Sequence, residues 1–131
     1  MKEIAAYINA NSENYLFTAY DETTQERLSA QLEFLPGVLL PGDLDARREE
    51  LKGVSFLFST WGVPELSQEQ IQTYFPSLKA LFYAAGSVQQ FARPFLAAGV
   101  KVFSAWAANA VPVAEFTVAQ IILAGKGYFQ G

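Results

Sequence analysis

The sequence predicts an α/β domain in which a five-stranded parallel sheet is wound on both faces by helices, and three observations point that way. Short apolar runs alternate with stretches of helical periodicity along the whole chain. The run VSFLFST, residues 54–60, is near-continuous in its apolar character, as a parallel strand buried on both faces requires. The junctions are short and rich in Gly, Pro, Asp and Ser, with no internal repeat and no low-complexity segment. At 131 residues, 51% hydrophobic and 15% aromatic, the chain has enough apolar material for one packed core.

The elements follow in order. Residues 3–8 (EIAAYI) read as the first strand. Asp21 or Thr23 is placed to cap a helix over residues 22–34, with Leu28, Leu32 and Leu35 along one face. Residues 37–41 (GVLLP) form a short second strand between turn residues. Residues 44–51 make a short, charged helix that Gly53 closes, and residues 54–60 are the third strand. Ser67 caps QEQIQTYF, with Glu69 and Gln70 in the first turn and Pro76 at its end. Residues 78–86 are the fourth strand, running into a small-residue turn. Pro94 lies early in a helix ending at Gly99, residues 100–106 are the fifth strand, and the last helix follows. Strand and helix alternate five times, the pattern of a flavodoxin-like, doubly wound five-stranded parallel sheet. Ligands in such sheets sit beyond the carboxyl ends of the strands. The turns after Ile8, Leu40, Thr60, Tyr83 and Ala105 are therefore the places where a site is expected.

Composition removes several functions. The formal charge is −4, the nine basic residues are scattered, and only Arg47 and Arg48 are adjacent, so no nucleic-acid partner is expected. Without cysteine there is no disulfide framework and no thiolate zinc site. Without histidine the commonest metal ligand and the commonest general base are both missing, and no metal site is expected. The apolar start of MKEIAAYINANSEN is too short for a signal peptide. The longest apolar stretch, residues 110–124, is broken by Glu115 and Gln120 and falls short of a bilayer span. A soluble cytoplasmic protein with no membrane partner is the expectation.

Four turns carry candidate sites. The small side chains of AAGSV, residues 84–88, let a ligand approach backbone amides that could hold an anion; the same turn also serves as a plain tight connection. Asn109 stands three residues before Pro112, where it reads as a helix cap or as an outward-facing amide for a carboxylate or carbonyl. Trp61, after Ser59 and Thr60, either walls an apolar pocket or packs beneath its own loop. NANSEN, residues 9–14, occupies the place of a flavin phosphate loop but lacks the glycines. GKGYFQG, residues 125–131, is not a dinucleotide fingerprint, because its third glycine is one position late and it follows a helix. Glu49 and Glu50 read as a solvated surface.

Residues 75–87 (FPSLKALFYAAGS) and 97–124 (AAGVKVFSAWAANAVPVAEFTVAQIILA) resemble the N-terminal part of the D-isomer-specific 2-hydroxyacid dehydrogenases, which include formate, phosphoglycerate and D-lactate dehydrogenases. The family order is a "pxLK" strand, a Gly turn, "GV-V" before a strand, and Asn-x-x-x-Val-Ala-Glu opening a long helix. The last motif is here Asn109, Val113, Ala114 and Glu115. The likeness is specific over about residues 75–124.

The resemblance implies a flavodoxin-like substrate-binding domain over residues 1–109 and an interdomain connector helix over 110–131. That helix would cross to a separate Rossmann domain, absent from this chain, which binds NAD or NADP. By the same resemblance the backbone amides of Ala85 and Gly86 hold the substrate carboxylate, Asn109 contacts the substrate, Thr60 and Trp61 line its pocket, and Val113 lies beside the nicotinamide. The substrate is a small 2-hydroxy or 2-keto acid. The catalytic Arg, Glu and His lie downstream in the family, so this chain carries no catalytic residue, binds no cofactor alone and is inactive by itself. The connector is apolar all round because it is wedged between domains and often against a second subunit, making residues 112–124 a homo-oligomer contact as well. One departure stands out. The family usually has Asp soon after the Gly turn, whereas this chain has Ser87-Val88-Gln89-Gln90-Phe91, which leaves the substrate open. The alternative is a non-catalytic flavodoxin-like binding or assembly module that self-associates through its C-terminal helix. A flavin-binding option rests on the fold alone.

Overall fold

A computed structural model describes residues 1–10 and 13–130. Its elements are β1 (Ile4–Ile8), α1 (Glu13–Ala19), α2 (Glu22–Gln31), β2 (Glu33–Leu39), a 3-10 turn (Pro41–Asp43) and α3 (Arg48–Leu51). They continue with β3 (Val54–Ser59), α4 (Gln68–Tyr74), β4 (Ala80–Tyr83), α5 (Ala92–Ala97), β5 (Lys101–Ser104), α6 (Trp106–Gly125) and a last 3-10 turn (Tyr128–Gln130). The five strands form one all-parallel sheet in the order β2-β1-β3-β4-β5. The fold is α/β and flavodoxin-like, as the strand pattern predicts.

Each face of the sheet has its own core. On one, Ile8, Leu39, Leu57 and Leu81 meet Leu51 of α3, Ile71 of α4 and Phe95 of α5. On the other, Ala5, Tyr7 and Phe58 meet Leu16 of α1 and Tyr20, with Leu28 of α2 packed alongside. This second face is aromatic. Parallel pairing sets Tyr7 beside Phe58, Phe58 beside Phe82, and Phe82 beside Phe103. With Phe34 stacked on Tyr7 at 4.5 Å, one row of rings crosses all five strands. Its far end, Phe103, is 49% exposed and lies outside the cluster packed under α1 and α2.

The elements depart from expectation in four places. Residues 33 and 34 are strand rather than helix. α2, capped by Asp21 Oδ1 accepting from the Thr24 amide, stops at Gln31, and the Glu33 amide bonds Glu3 O in the sheet. β2 then runs through Pro36 and Gly37, which is tolerable because β2 lies at the sheet edge. α1 is a helix the sequence pattern does not separate from the loop before it. The charged segment 44–51 is helical only over its last turn, α3. At α4 expectation and structure agree: Ser67 Oγ accepts from the Gln70 amide while Gln70 Oε1 accepts from the Ser67 amide.

The fourth departure concerns α6. It begins at Trp106, so Asn109 and Pro112 both lie within it and the expected boundary at residues 109–110 falls inside a continuous helix. Asn109 is no cap: its amide already donates to Ala105 O at 2.8 Å. The helix runs for 20 residues and none of them is buried. Val111, Val113, Phe116, Val118, Ile121 and Ile122 are each more than half exposed.

Candidate functional site

The turn after β4 is built from both flanking strands. Ala84 donates its amide to Ser59 O at the end of β3, and the Thr60 hydroxyl donates to Ala84 O at 3.4 Å. From β5, the Ser104 hydroxyl lies 2.5 Å from Gly86 O and 3.1 Å from Ala85 O, so its one proton serves that pair. Three successive carbonyls are thus drawn to hydroxyls at the strand ends. Among the described residues nothing accepts from the amides of Ala85, Gly86, Ser87 or Val88. Ala85 is fully buried, Gly86 partly so, and Ser87 exposed. The donors within reach of a ligand are therefore those of Gly86 and Ser87, and outward amides in such a turn suit an anion.

Beside this turn lies a cavity of about 310 Å³ walled by Trp61, Tyr83, Gly86, Ser87, Gln90 and Asn109, with Gln89 at its edge. Trp61 is half exposed, yet its backbone is fixed: Asn9 Nδ2 donates to Trp61 O at 2.8 Å and the Ala10 amide to Gly62 O at 2.6 Å. Gly62 supplies the left-handed φ of 96° at which that loop turns. Asn109 projects from the first turns of α6 onto Gly86. A Cβ on Gly86 would stand 3.0 Å from Asn109 Nδ2, so this glycine leaves the room the asparagine occupies. The Asn109 side chain makes no hydrogen bond among the described residues and keeps its donor and acceptor for a ligand. Tyr83 is held neutral beyond the ordinary tyrosine range, because burial penalises the phenolate.

The structure thus brings together Trp61, Gly86 and Asn109. Thr60 is fully buried and stands behind the cavity, holding the turn instead of facing a ligand. Ala85 is likewise behind the wall. Val113 sits one helical turn beyond Asn109 on α6, exposed and outside the cavity. Of NANSEN, Asn11 and Ser12 lie outside the described residues, while Asn9 is buried as a strut under Trp61. Sequence reasoning overlooked Tyr83, Gln90 and above all Ser104. The signal for Ser104 was its place as the last residue of β5, the strand paired with β4, where a hydroxyl meets the neighbouring turn.

Two of the other hollows share Tyr83 with the main cavity. A recess of about 90 Å³ shares Tyr83, Ser87 and Gln90 with the cavity beside the turn and adds Gly62, Val63, Phe91 and Glu65. On the other face a cavity of about 300 Å³ is lined by Leu28, Phe58, Phe82 and Phe103 beside Tyr20. The Tyr20 hydroxyl donates to Ser59 O at 2.9 Å, with Phe82 O at 3.3 Å. Burial pushes its ionisation well up, Tyr7 adds to that, and the bond to Ser59 opposes it. No group of three His, Cys, Asp or Glu that could hold a metal occurs among the described residues. Comparison with known proteins adds no relative: no family model, curated protein or solved structure matches this chain.

Proposed function

We propose that this chain is the substrate-binding part of an NAD(P)-dependent oxidoreductase acting on the CH–OH group of a D-2-hydroxy acid. The observation that carries the reading is α6, a long apolar helix with no buried residue, rooted by Asn109 at the wall of a cavity rich in free amides. A helix apolar on every side is at home only between partners, as a connector between two lobes would be. The cavity supplies what such a lobe owes the reaction. The Gly86 and Ser87 amides hold the carboxylate, and Asn109 holds the oxygen on C2, fixing the orientation of the C–H bond.

A dinucleotide does not fit this chain by itself. Val113 offers one apolar contact, but no glycine-rich phosphate loop follows a strand, and the chain has no histidine to take the hydroxyl proton. The purified 131-residue protein is expected to oxidise no NADH with any 2-keto acid. In an amide NMR titration with oxamate, a pyruvate mimic, shifts are expected at Gly86, Ser87 and the Asn109 side chain. Turnover by the chain alone, or shifts that avoid those three, would overturn the proposal.

A second reading is favoured by the same helix: a non-catalytic module that self-associates through residues 112–124. Light scattering on wild type and on the Val118→Lys, Ile122→Lys double variant tests it. Association that survives both charges rules the helix out as the contact. By length and composition α6 could also cross a membrane, but Glu115 at its middle would cost about 3 kcal/mol there.

A further inference from the structure

The walls of the cleft bear on which acid it takes. Among the described residues lining the main cavity there is no Lys, Arg, Asp or Glu; its polar groups are the neutral amides and hydroxyls of Ser87, Gln89, Gln90, Asn109 and Tyr83. The recess that shares Tyr83, Ser87 and Gln90 with it is also lined by Gly62, Val63 and Phe91, and the one charge there is the carboxylate of Glu65. The cleft therefore offers unpaired backbone donors to one anion, at the Gly86 and Ser87 amides. A second anion on the same ligand would find no counter-charge and would meet Glu65, in a protein that already carries a net −4. The face left for the rest of the ligand is aromatic: Trp61 on a tethered loop, and Phe91 packed edge-on against Tyr83 at 4.8 Å. The cavity, about 310 Å³ before the recess is counted, exceeds the needs of a three-carbon acid.

We infer that the cleft is built for a monocarboxylic 2-hydroxy or 2-keto acid with a sizeable uncharged side chain, lodged between the Trp61 indole and the Tyr83–Phe91 pair. It discriminates against acids bearing a second carboxylate or a phosphate. This rests on the carboxylate-binding reading above and adds the side-chain class to it.

Binding of pyruvate, phenylpyruvate and 2-oxoglutarate to the 131-residue protein, followed by amide NMR, tests the inference. Phenylpyruvate is expected to bind at least about tenfold more tightly than 2-oxoglutarate, with pyruvate between them. Trp61→Ala should abolish the preference for phenylpyruvate over pyruvate. Glu65→Lys, at an exposed position, should raise the affinity for 2-oxoglutarate severalfold relative to that for pyruvate. If 2-oxoglutarate binds the wild type as well as phenylpyruvate does, the side-chain class is wrong and the carboxylate site stands. If none of the three acids moves Gly86 or Ser87, the carboxylate site fails, and this inference with it.

Discussion

The sheet body and α6 are made of similar residues in opposite surroundings. Leu57 and Leu81 in the strands and Phe95 in α5 have lost all but about a hundredth of their exposure, whereas Phe116, Ile121 and Ile122 in α6 keep more than half of theirs. Apolar content does not separate the two. In the body, strands present Leu57 and Leu81 to helices arriving from the next crossover, so burial is complete within the chain. α6 leaves β5 after a single residue, Ala105, and no later element folds over it among the described residues. The lesson is that this protein's packed core and its exposed apolar surface reside in different parts, and substitutions should separate them.

The largest effect should come from the body. Phe95→Ala is expected to cost about 3–5 kcal/mol in urea unfolding, through lost burial and the cavity left behind. The Val118→Lys, Ile122→Lys variant should stay within about 0.5 kcal/mol of wild type in the same experiment, because both positions are already in water. A comparable loss from both would dissolve the contrast.

Tyr20 sharpens it next. Tyr20→Phe removes the donor to Ser59 O, for an expected loss of about 1 kcal/mol at neutral pH. The folded tyrosine ionises above its unfolded value, so its contribution is whole below about pH 10 and is lost as pH rises through the folded value. Alkaline unfolding should therefore be shallower in Tyr20→Phe than in wild type. Ser104→Ala should also cost about 1 kcal/mol, and in addition should weaken oxamate binding several-fold. Ser104→Thr, which keeps the hydroxyl, should restore the binding. The smallest change has the opposite sign. The Tyr7 hydroxyl is buried with no hydrogen-bond partner among the described residues, so Tyr7→Phe should gain up to about 1 kcal/mol.

Much of this was legible in the residues. The continuous apolar run at 54–60 marks the central strand, since only a strand covered on both faces tolerates it, and the Ser67–Gln70 pair marks its helix by mutual capping. The turn at 84–88 and Asn109 stand out by small size and by spacing, and both reach the cavity. Other features were hidden. Leu28, Leu32 and Leu35 have helical spacing, but Leu32 already has extended backbone, and pairing with β1 prevails over local pattern there. Pro112 suggested a helix start just after Asn109, although the Asn109 bond to Ala105 O places that start about one turn earlier. Thr60 and Ala85 lie at the expected sheet edge; which way they face depends on hydrogen bonds to neighbouring strands, and no local spacing records that.

The seat of Asn109 against Gly86 has a mechanical consequence. A helix is stiff, and among the described residues this one meets the body at its root, so a tilt of α6 would pivot at the cavity wall. A load at Ile121 or Ile122, some three turns away, arrives at Asn109 as a tilt. Gly86 leaves the space that the Asn109 amide occupies, so such a tilt would carry that amide toward or away from the turn after β4.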